Sequence, residues 1–349
     1  HELNLDIVKR LVEAYPEALT NRDNTSNHTP LFCACGREDL SMDLVRLLVD
    51  PELSVLEQVG GGFRGDLPLE SLMGQYHSTK WSAPFDVVRY FIESAPATIA
   101  PSLMVKICRR RNVTLETVRL IVETRPDVSL LDQQGDGLLP LHSLCLNEKK
   151  DDANTRLLPI IEYVVDLYPE AVKRRNHYGF LPITYAVGTT LEITRFLYEK
   201  HPDSFYRDMW GHTPFASSCS SGGIDTVKYL FDQGGADLLS GPLLHLSLKS
   251  DRDTQAKVDF VLDNDPQSVK RKDQDSNFPL HSLCSAFSVD LALVKRVFEL
   301  YPDAVAARND KGRFPIHEFL SKERFFSARS DALLGIVEFL VTQFPASLK

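Results

Sequence analysis

Residues 207–238 read RDMWGHTPFASSCSSGGIDTVKYLFDQGGADL, and this stretch decides the fold. Asp208-Met209-Trp210-Gly211-His212 is turn chemistry, with Gly211 able to take a positive φ at little cost. Thr213-Pro214 then opens a helix, because proline fits the first turn, where its missing N–H is not needed. Gly222-Gly223 breaks that helix. A second helix follows, with Ile224, Val227, Leu230 and Phe231 on one apolar face, and Gly234-Gly235 ends it. The unit is a finger tip, a helix, a turn and a helix.

The rest of the chain is built from copies of this unit. Aligned on Pro214, the copies are anchored at Pro30, Pro68, Leu103, Pro140, Pro182, Pro214, Leu243, Pro279 and Pro315, with gaps of 29 to 42 residues. Each anchor opens a first helix: TPLFCAC, LPLESLM, LPLHSLC, LPITYAV and FPLHSLC are examples. The second helices repeat as well, as in Asp43-Leu44-Val45-Arg46-Leu47-Leu48 and Asp86-Val87-Val88-Arg89-Tyr90-Phe91. Apolar residues at i, i+1, i+4 and i+5 make a stripe for burial, and a basic residue sits on the wet side. The copy at Leu103 lacks the anchor proline, the PLH triad and a glycine finger, which marks it as the weakest interface of the array.

These units resemble ankyrin repeats, whose consensus carries G-x-TPLH-x-AA and a later L-L-x-x-GAD. Gly211, Thr213, Pro214, Ala216, Leu230, Gly235, Ala236 and Asp237 match it residue by residue. One departure is systematic. The second helix usually ends in a Pro-acid step, as at Pro16-Glu17, Pro169-Glu170 and Pro302-Asp303, and proline stops it. In this the chain resembles the divergent ankyrin-like arrays of unicellular algae. The resemblance implies an all-α, ankyrin-type α-solenoid of stacked helix-turn-helix repeats with short hairpin fingers. It spans 1–349 as a single array: a half-repeat over 1–22, then repeats beginning near 23, 60, 98, 132, 176, 208, 239, 273 and 309. The chain starts at a second helix and neither end reads as a polar capping repeat, so more protein is expected on at least one side.

Bulk properties narrow the function. At 349 residues the chain exceeds one ordinary core. A net charge of −9 disfavours a general nucleic-acid binder, and no apolar run is long enough for a bilayer. Gly60-Gly61-Gly62-Phe63-Arg64-Gly65 fits G-x-G-x-x-G formally, but it falls in a finger of a helical array rather than in a βαβ unit. No Walker lysine, G-x-S-x-G elbow or H-E-x-x-H is present, so neither an enzyme nor a cofactor is expected. Cys35, Cys108, Cys145, Cys219 and Cys284 sit five residues after an anchor, where two helices pack closely and a thiol serves as a small hydrophobe. Cys33 stands apart, with no second C-x-C to complete a metal set, so no metal is expected. Unpaired thiols suit a reducing, intracellular compartment, cytoplasmic or nuclear. His142, His281 and His317 lie two residues after an anchor proline, and His245 two after Leu243. The resemblance implies that these histidines tie adjacent repeats together.

The expected function is a protein-interaction scaffold, holding a protein or peptide on the face made by fingers and first helices. The alternative is a targeting or regulatory region of a larger enzyme. Charged insertions between the helices, such as Leu146 to Leu158, mark loops on one face. A row of cations, Arg22, Arg175, Arg207, Lys272 and Arg308, precedes the Asp or Asn of each finger. The residue before each turn glycine, or before its substitute, should sit at a tip: Ser26, Arg64, Asp136, Tyr178, Trp210, Asp275 and Lys311. Adjacent repeats carry Tyr178 and Trp210, and aromatic residues with a polar handle dominate interface hot spots. The expected partner-binding residues are therefore Tyr178 and Trp210, flanked by Arg207, His212 and Arg175, with Lys311 further on. Trp210 folded back onto the next finger is the other reading.

Overall fold

The computed structural model describes residues 4–37, 39–60, 67–73, 83–99, 101–110, 112–129, 137–147, 153–204, 213–234, 239, 241–250, 252–286, 290–321 and 331–345. It divides into two compact units, 1–182 and 183–349. Every regular element among the described residues is helical. The first unit contains α1 (Leu5–Ala14), α2 (Pro30–Ala34), α3 (Met42–Val49), α4 (Pro68–Leu72), α5 (Phe85–Ser94), α6 (Pro101–Cys108), α7 (Leu115–Thr124), α8 (Pro126–Ser129), α9 (Pro140–Cys145) and α10 (Ala153–Leu167). Next come α11 (Pro182–Ala186), α12 (Leu191–Lys200), α13 (Pro214–Ser221), α14 (Ile224–Gly234), α15 (Leu243–Leu248), α16 (Thr254–Asn264), α17 (Pro279–Ser285), α18 (Leu291–Leu300), α19 (Pro315–Leu320) and α20 (Asp331–Gln343). Each unit is an all-α stack of ankyrin-type helix-turn-helix repeats.

The first helices start in two ways. Where threonine precedes the anchor proline, its hydroxyl caps forward: Thr29 Oγ1 accepts from Phe32 N–H at 3.3 Å and Thr213 Oγ1 from Ala216 N–H at 3.2 Å. Where Leu67, Leu139, Phe278 or Phe314 takes that place, no forward cap exists. The third helical residue reaches back instead. Leu139 N–H donates to His142 Nδ1 at 3.2 Å, Phe278 N–H to His281 Nδ1 at 3.2 Å and Phe314 N–H to His317 Nδ1 at 3.1 Å. Glu70 does the same for Leu67 N–H at 3.0 Å.

Three expectations need correction. The copy at Leu103 does not lack a proline: α6 opens at Pro101, one half-turn upstream, and Leu103, Met104, Val105, Ile107 and Cys108 are all buried. One of the three grounds for a weak repeat therefore falls, while the absent PLH triad and glycine finger stand. The insertion placed at 146–158 is shorter than expected, because α10 already begins at Ala153 and runs through Pro159. Residues 148–152 lie outside the described set.

The third correction concerns the Pro-acid step. Proline does more than stop the second helix. The residue before it is forced out of the helical region, at φ/ψ of −140/69 for Tyr15, −137/76 for Tyr168 and −151/80 for Tyr301. Proline then becomes the first residue of a short 3₁₀ turn, at Pro16–Leu19, Pro96–Thr98, Pro169–Lys173, Pro266–Lys270 and Pro302–Ala306. The last three of these turns bury a small residue followed by valine: Ala171-Val172, Ser268-Val269 and Ala304-Val305. Each such repeat thus has a third helical piece that closes the core between its second helix and the next finger.

The second helices bury the expected stripe, Leu44-Val45-Leu48-Val49 in α3 and Val87-Val88-Phe91-Ile92 in α5. In α1 the same pattern leaves Ile7 and Leu11 exposed. The basic residues of these helices are not merely solvated. Arg119 lies over the Tyr163 ring of α10 at 5.2 Å, Arg195 over Tyr229 of α14 at 5.2 Å, and Arg296 pairs with Asp259 and Asp263 of α16.

Cys35, Cys108, Cys145, Cys219 and Cys284 are buried and in no disulfide, while Cys33 is exposed. Burial pushes the Cys35 and Cys219 thiols up to about 12, and raises those of Cys108 and Cys145 as well. A disulfide-exchange reagent acts on thiolate it can reach. The folded chain is therefore expected to release one fast equivalent from Cys33, and the other five only after denaturation. A second fast equivalent under native conditions would refute this packing.

Candidate functional site

The fingers share one backbone solution. An Asn or Asp at the stalk turns its side chain back on the loop: Asn176 Oδ1 accepts from Tyr178 and Phe180 N–H, both at 3.0 Å. Asp273 Oδ1 accepts from Asp275 and Asn277, at 3.0 and 2.9 Å, and Asn309 Oδ1 from Lys311 and Arg313, at 3.1 and 2.9 Å. Asp23 caps Thr25, Ser26 and His28 in the same manner. One residue then takes a left-handed φ: Gly179 at 78° and Gly312 at 70°, replaced by Asn27 at 57° and Ser276 at 58°.

The residue before that position is the tip. Ser26, Tyr178, Asp275 and Lys311 are all exposed there. Arg64, Asp136 and Trp210 lie outside the described residues, as do Arg207 and His212. Of the expected binding residues, Tyr178, Arg175 and Lys311 can be placed. Tyr178 tops its finger, with Arg175 exposed on the stalk below it beside the exposed Lys173 and Arg174. Lys173 pairs with Glu170 at 2.9 Å. Lys311 tops the finger at 309–313, whose Asp310 N–H donates to Asp275 O of the preceding finger at 3.1 Å. Asn309 Nδ2 also donates to Asn277 Oδ1 at 2.8 Å.

Three cations of the row, Arg22, Lys272 and Arg308, brace their own fingers or helix entries. Arg308 donates to Gly312 O at 2.8 Å and its guanidinium lies 4.3 Å over the Phe314 ring. Lys272 lies 5.0 Å over Phe278, and Arg22 donates to Asn27 O at 3.3 Å. Arg308 and Lys272 cover the helix entry of their own repeat.

His142, His245 and His281 join neighbouring repeats, as the resemblance implied; the hydrogen bond of His317 to Phe314 N–H is within its own repeat. Because Nδ1 of His142 and His281 accepts a backbone N–H, their Nε2 carries the hydrogen. It donates to Phe180 O at 3.2 Å and to Arg313 O at 3.1 Å, each in the next finger. His245 differs for a local reason: the residue three before it is Pro242, which has no N–H to give. Its Nδ1 instead takes the Ser282 hydroxyl at 2.7 Å, and its Nε2 donates to Arg271 O at 2.9 Å. Desolvation lowers all three, His142 to about 4. Neutral rings with both nitrogens engaged are structural ties.

One grouping is invisible to the sequence pattern. No second C-x-C completes a ligand set around Cys33. Folding supplies other partners: the ligand atoms of Asp23, His28 and Cys33 all lie within 4.8 Å of one another. The signal in the sequence is a D-x₄-H-x₄-C spacing, but it crosses a finger and a helix start, so no helical or strand period reveals it.

No family model matches the chain. It is similar to a probable 26S proteasome regulatory subunit p28 of Saccharomyces cerevisiae, 26% identical over 209 residues that cover 57% of this chain and 84% of that one. No helix among the described residues is long and apolar enough to cross a membrane.

Proposed function

We propose that the chain is a protein-interaction scaffold that holds a protein or peptide partner on the face of its fingers and first helices. The observation that carries this reading is a constant finger backbone with varied tips. Ser26, Tyr178, Asp275 and Lys311 occupy one position on nearly one loop geometry, exposed in each case. Such residues are fixed in space by the loop yet contribute little to its folding, so their side chains are available for recognition. The proposed contact residues are Tyr178 and Arg175 of the first unit and, of the second, Lys311, Trp210, Arg207 and His212. The similarity to a proteasome regulatory subunit supports a protein partner and makes purified 26S proteasome the first one to test. Thiols in no disulfide suit a reducing compartment, cytoplasmic or nuclear.

Two measurements test it. Photo-crosslinking side chains at 178 and 311 should capture a protein partner, whereas the same groups at 93 and 123, exposed on α5 and α7, should not. Crosslinks from 93 and 123 alone would overturn the assignment of the face. Tyr178→Ala combined with Trp210→Ala should weaken binding of the captured partner by about tenfold or more. The melting temperature should stay within a few degrees. Unchanged affinity with a lowered melting temperature would make both rings structural.

A further inference from the structure

We propose that Asp23, His28 and Cys33 form a binding site for a divalent transition-metal ion of the zinc class. The three residues lie at the first finger and the start of α2, and they offer one oxygen, one nitrogen and one sulfur. That mixture suits zinc or cobalt, and not calcium or magnesium, which take oxygen ligands. Three protein ligands leave a fourth position for water or for a side chain of a partner.

The site is held in place before any ion arrives. Asp23 Oδ1 accepts from Thr25 N–H at 2.8 Å, from the Thr25 hydroxyl at 2.7 Å and from Ser26 N–H. Oδ2 accepts from His28 N–H at 3.1 Å and keeps further lone-pair capacity toward the cluster. These bonds keep the carboxyl ionised far below its ordinary range, with the Ser26 N–H the largest cause. The His28 ring lies on Phe32, centroids 4.3 Å apart at 33°. Phe32 is seated in turn on the backbone of Gly60, where a Cβ would come within 2.3 Å of the ring. Cys33 is exposed, unlike the five packing cysteines.

Ligand atoms in a tetrahedral site with bonds of about 2.0–2.3 Å lie roughly 3.3–3.8 Å apart. The present spread of up to 4.8 Å closes by side-chain rotation of about an ångström. Binding displaces the Cys33 thiol proton to solvent and puts thiolate on the metal. The proposed site is independent of the finger-tip surface, since none of its residues is among those assigned to the partner.

Cobalt(II) added to the reduced chain provides the test, because a thiolate ligand gives a near-ultraviolet charge-transfer band. The buried cysteines cannot contribute to it while the protein is folded. The expected result is a band that saturates at one equivalent and is displaced by zinc(II). Cys33→Ser should abolish it. His28→Ala and Asp23→Asn should weaken cobalt binding by about tenfold or more. Asparagine keeps the acceptor that shapes the finger, so Asp23→Asn separates lost coordination from lost folding, and circular dichroism confirms that each variant is folded. Absence of the band in the wild-type chain would overturn the proposal. So would a band that survives Cys33→Ser, or cobalt affinity unchanged in both His28→Ala and Asp23→Asn.

Discussion

Between pH 7.5 and pH 5 the folded chain is expected to lose at least about 2 kcal/mol of stability, through histidines that are buried neutral. His142, His245 and His281 have folded values lowered from the ordinary 6.5, by desolvation above all. The unfolded chain therefore binds more protons than the native one just below pH 6.5. Stability is complete above that value and falls as the pH drops through it, until the folded value is reached. For His142, with a folded value of about 4, the loss is about 2 kcal/mol by pH 5. His245 and His281 add to it in the same direction. Carboxylates do not confuse this window. Asp23, for example, is lowered from 3.8, so its contribution vanishes only as the pH falls below that range. The structural event is specific: a proton on Nδ1 of His142 removes the acceptor for Leu139 N–H. Denaturant midpoints at pH 7.5 and pH 5 read the effect. His142→Gln preserves a back-reaching acceptor, as Glu70 does in its own repeat, but does not titrate. It should stay within about 1 kcal/mol of wild type at pH 7.5 and show a shallower acid loss by about 2 kcal/mol. An identical pH slope in this variant would rule out the mechanism.

Phe215→Ala is expected to cost about 3–5 kcal/mol, a large fraction of the stability of an ordinary domain. Phe215 is fully buried at the position after the anchor, where other repeats carry Leu31, Leu69, Met104, Leu141, Ile183, Leu244, Leu280 and Ile316. It is the only ring in that set. It reaches Phe231 of α14 with centroids 6.1 Å apart, and Phe231 meets Phe260 of α16 edge-on at 5.2 Å. One ring thus starts a chain of contacts through three helices of the second unit. Truncation leaves a cavity that the short α13 cannot fill. Phe215→Leu restores what the other repeats use and should cost less than about 1.5 kcal/mol. In a repeat stack each unit leans on its neighbours, so the damage should be local. Hydrogen exchange should quicken in 213–264 and change little in 5–50. Equal protection throughout, or an alanine variant as stable as the leucine one, would show that Phe215 is not the packing centre of its repeat.

The sequence alone determined the all-α repeat character and most of its buried faces. Anchor prolines, five-residue steps to cysteine and the i, i+1, i+4, i+5 stripe are local periodicities, and a helix converts such spacing directly into a face. The finger tips were equally legible, since a left-handed φ leaves its mark as Gly179 and Gly312. Other features needed the third dimension. The 3₁₀ turns that open at Pro16, Pro96, Pro169, Pro266 and Pro302 are too short for any period to show, and burial in them is what suits the small Ala171, Ser268 and Ala304. The two capping schemes depend on whether a hydroxyl or a bare hydrocarbon stands before the anchor, and the inter-repeat partners of His142, His245 and His281 lie 26 to 38 residues away. Asp23, His28 and Cys33 are near in sequence, yet their donor atoms converge only because the finger doubles the chain back over the start of α2. Periodicity fixes which face a side chain occupies; where two faces meet, or a loop reverses, distance in space is set by the packing of elements against each other.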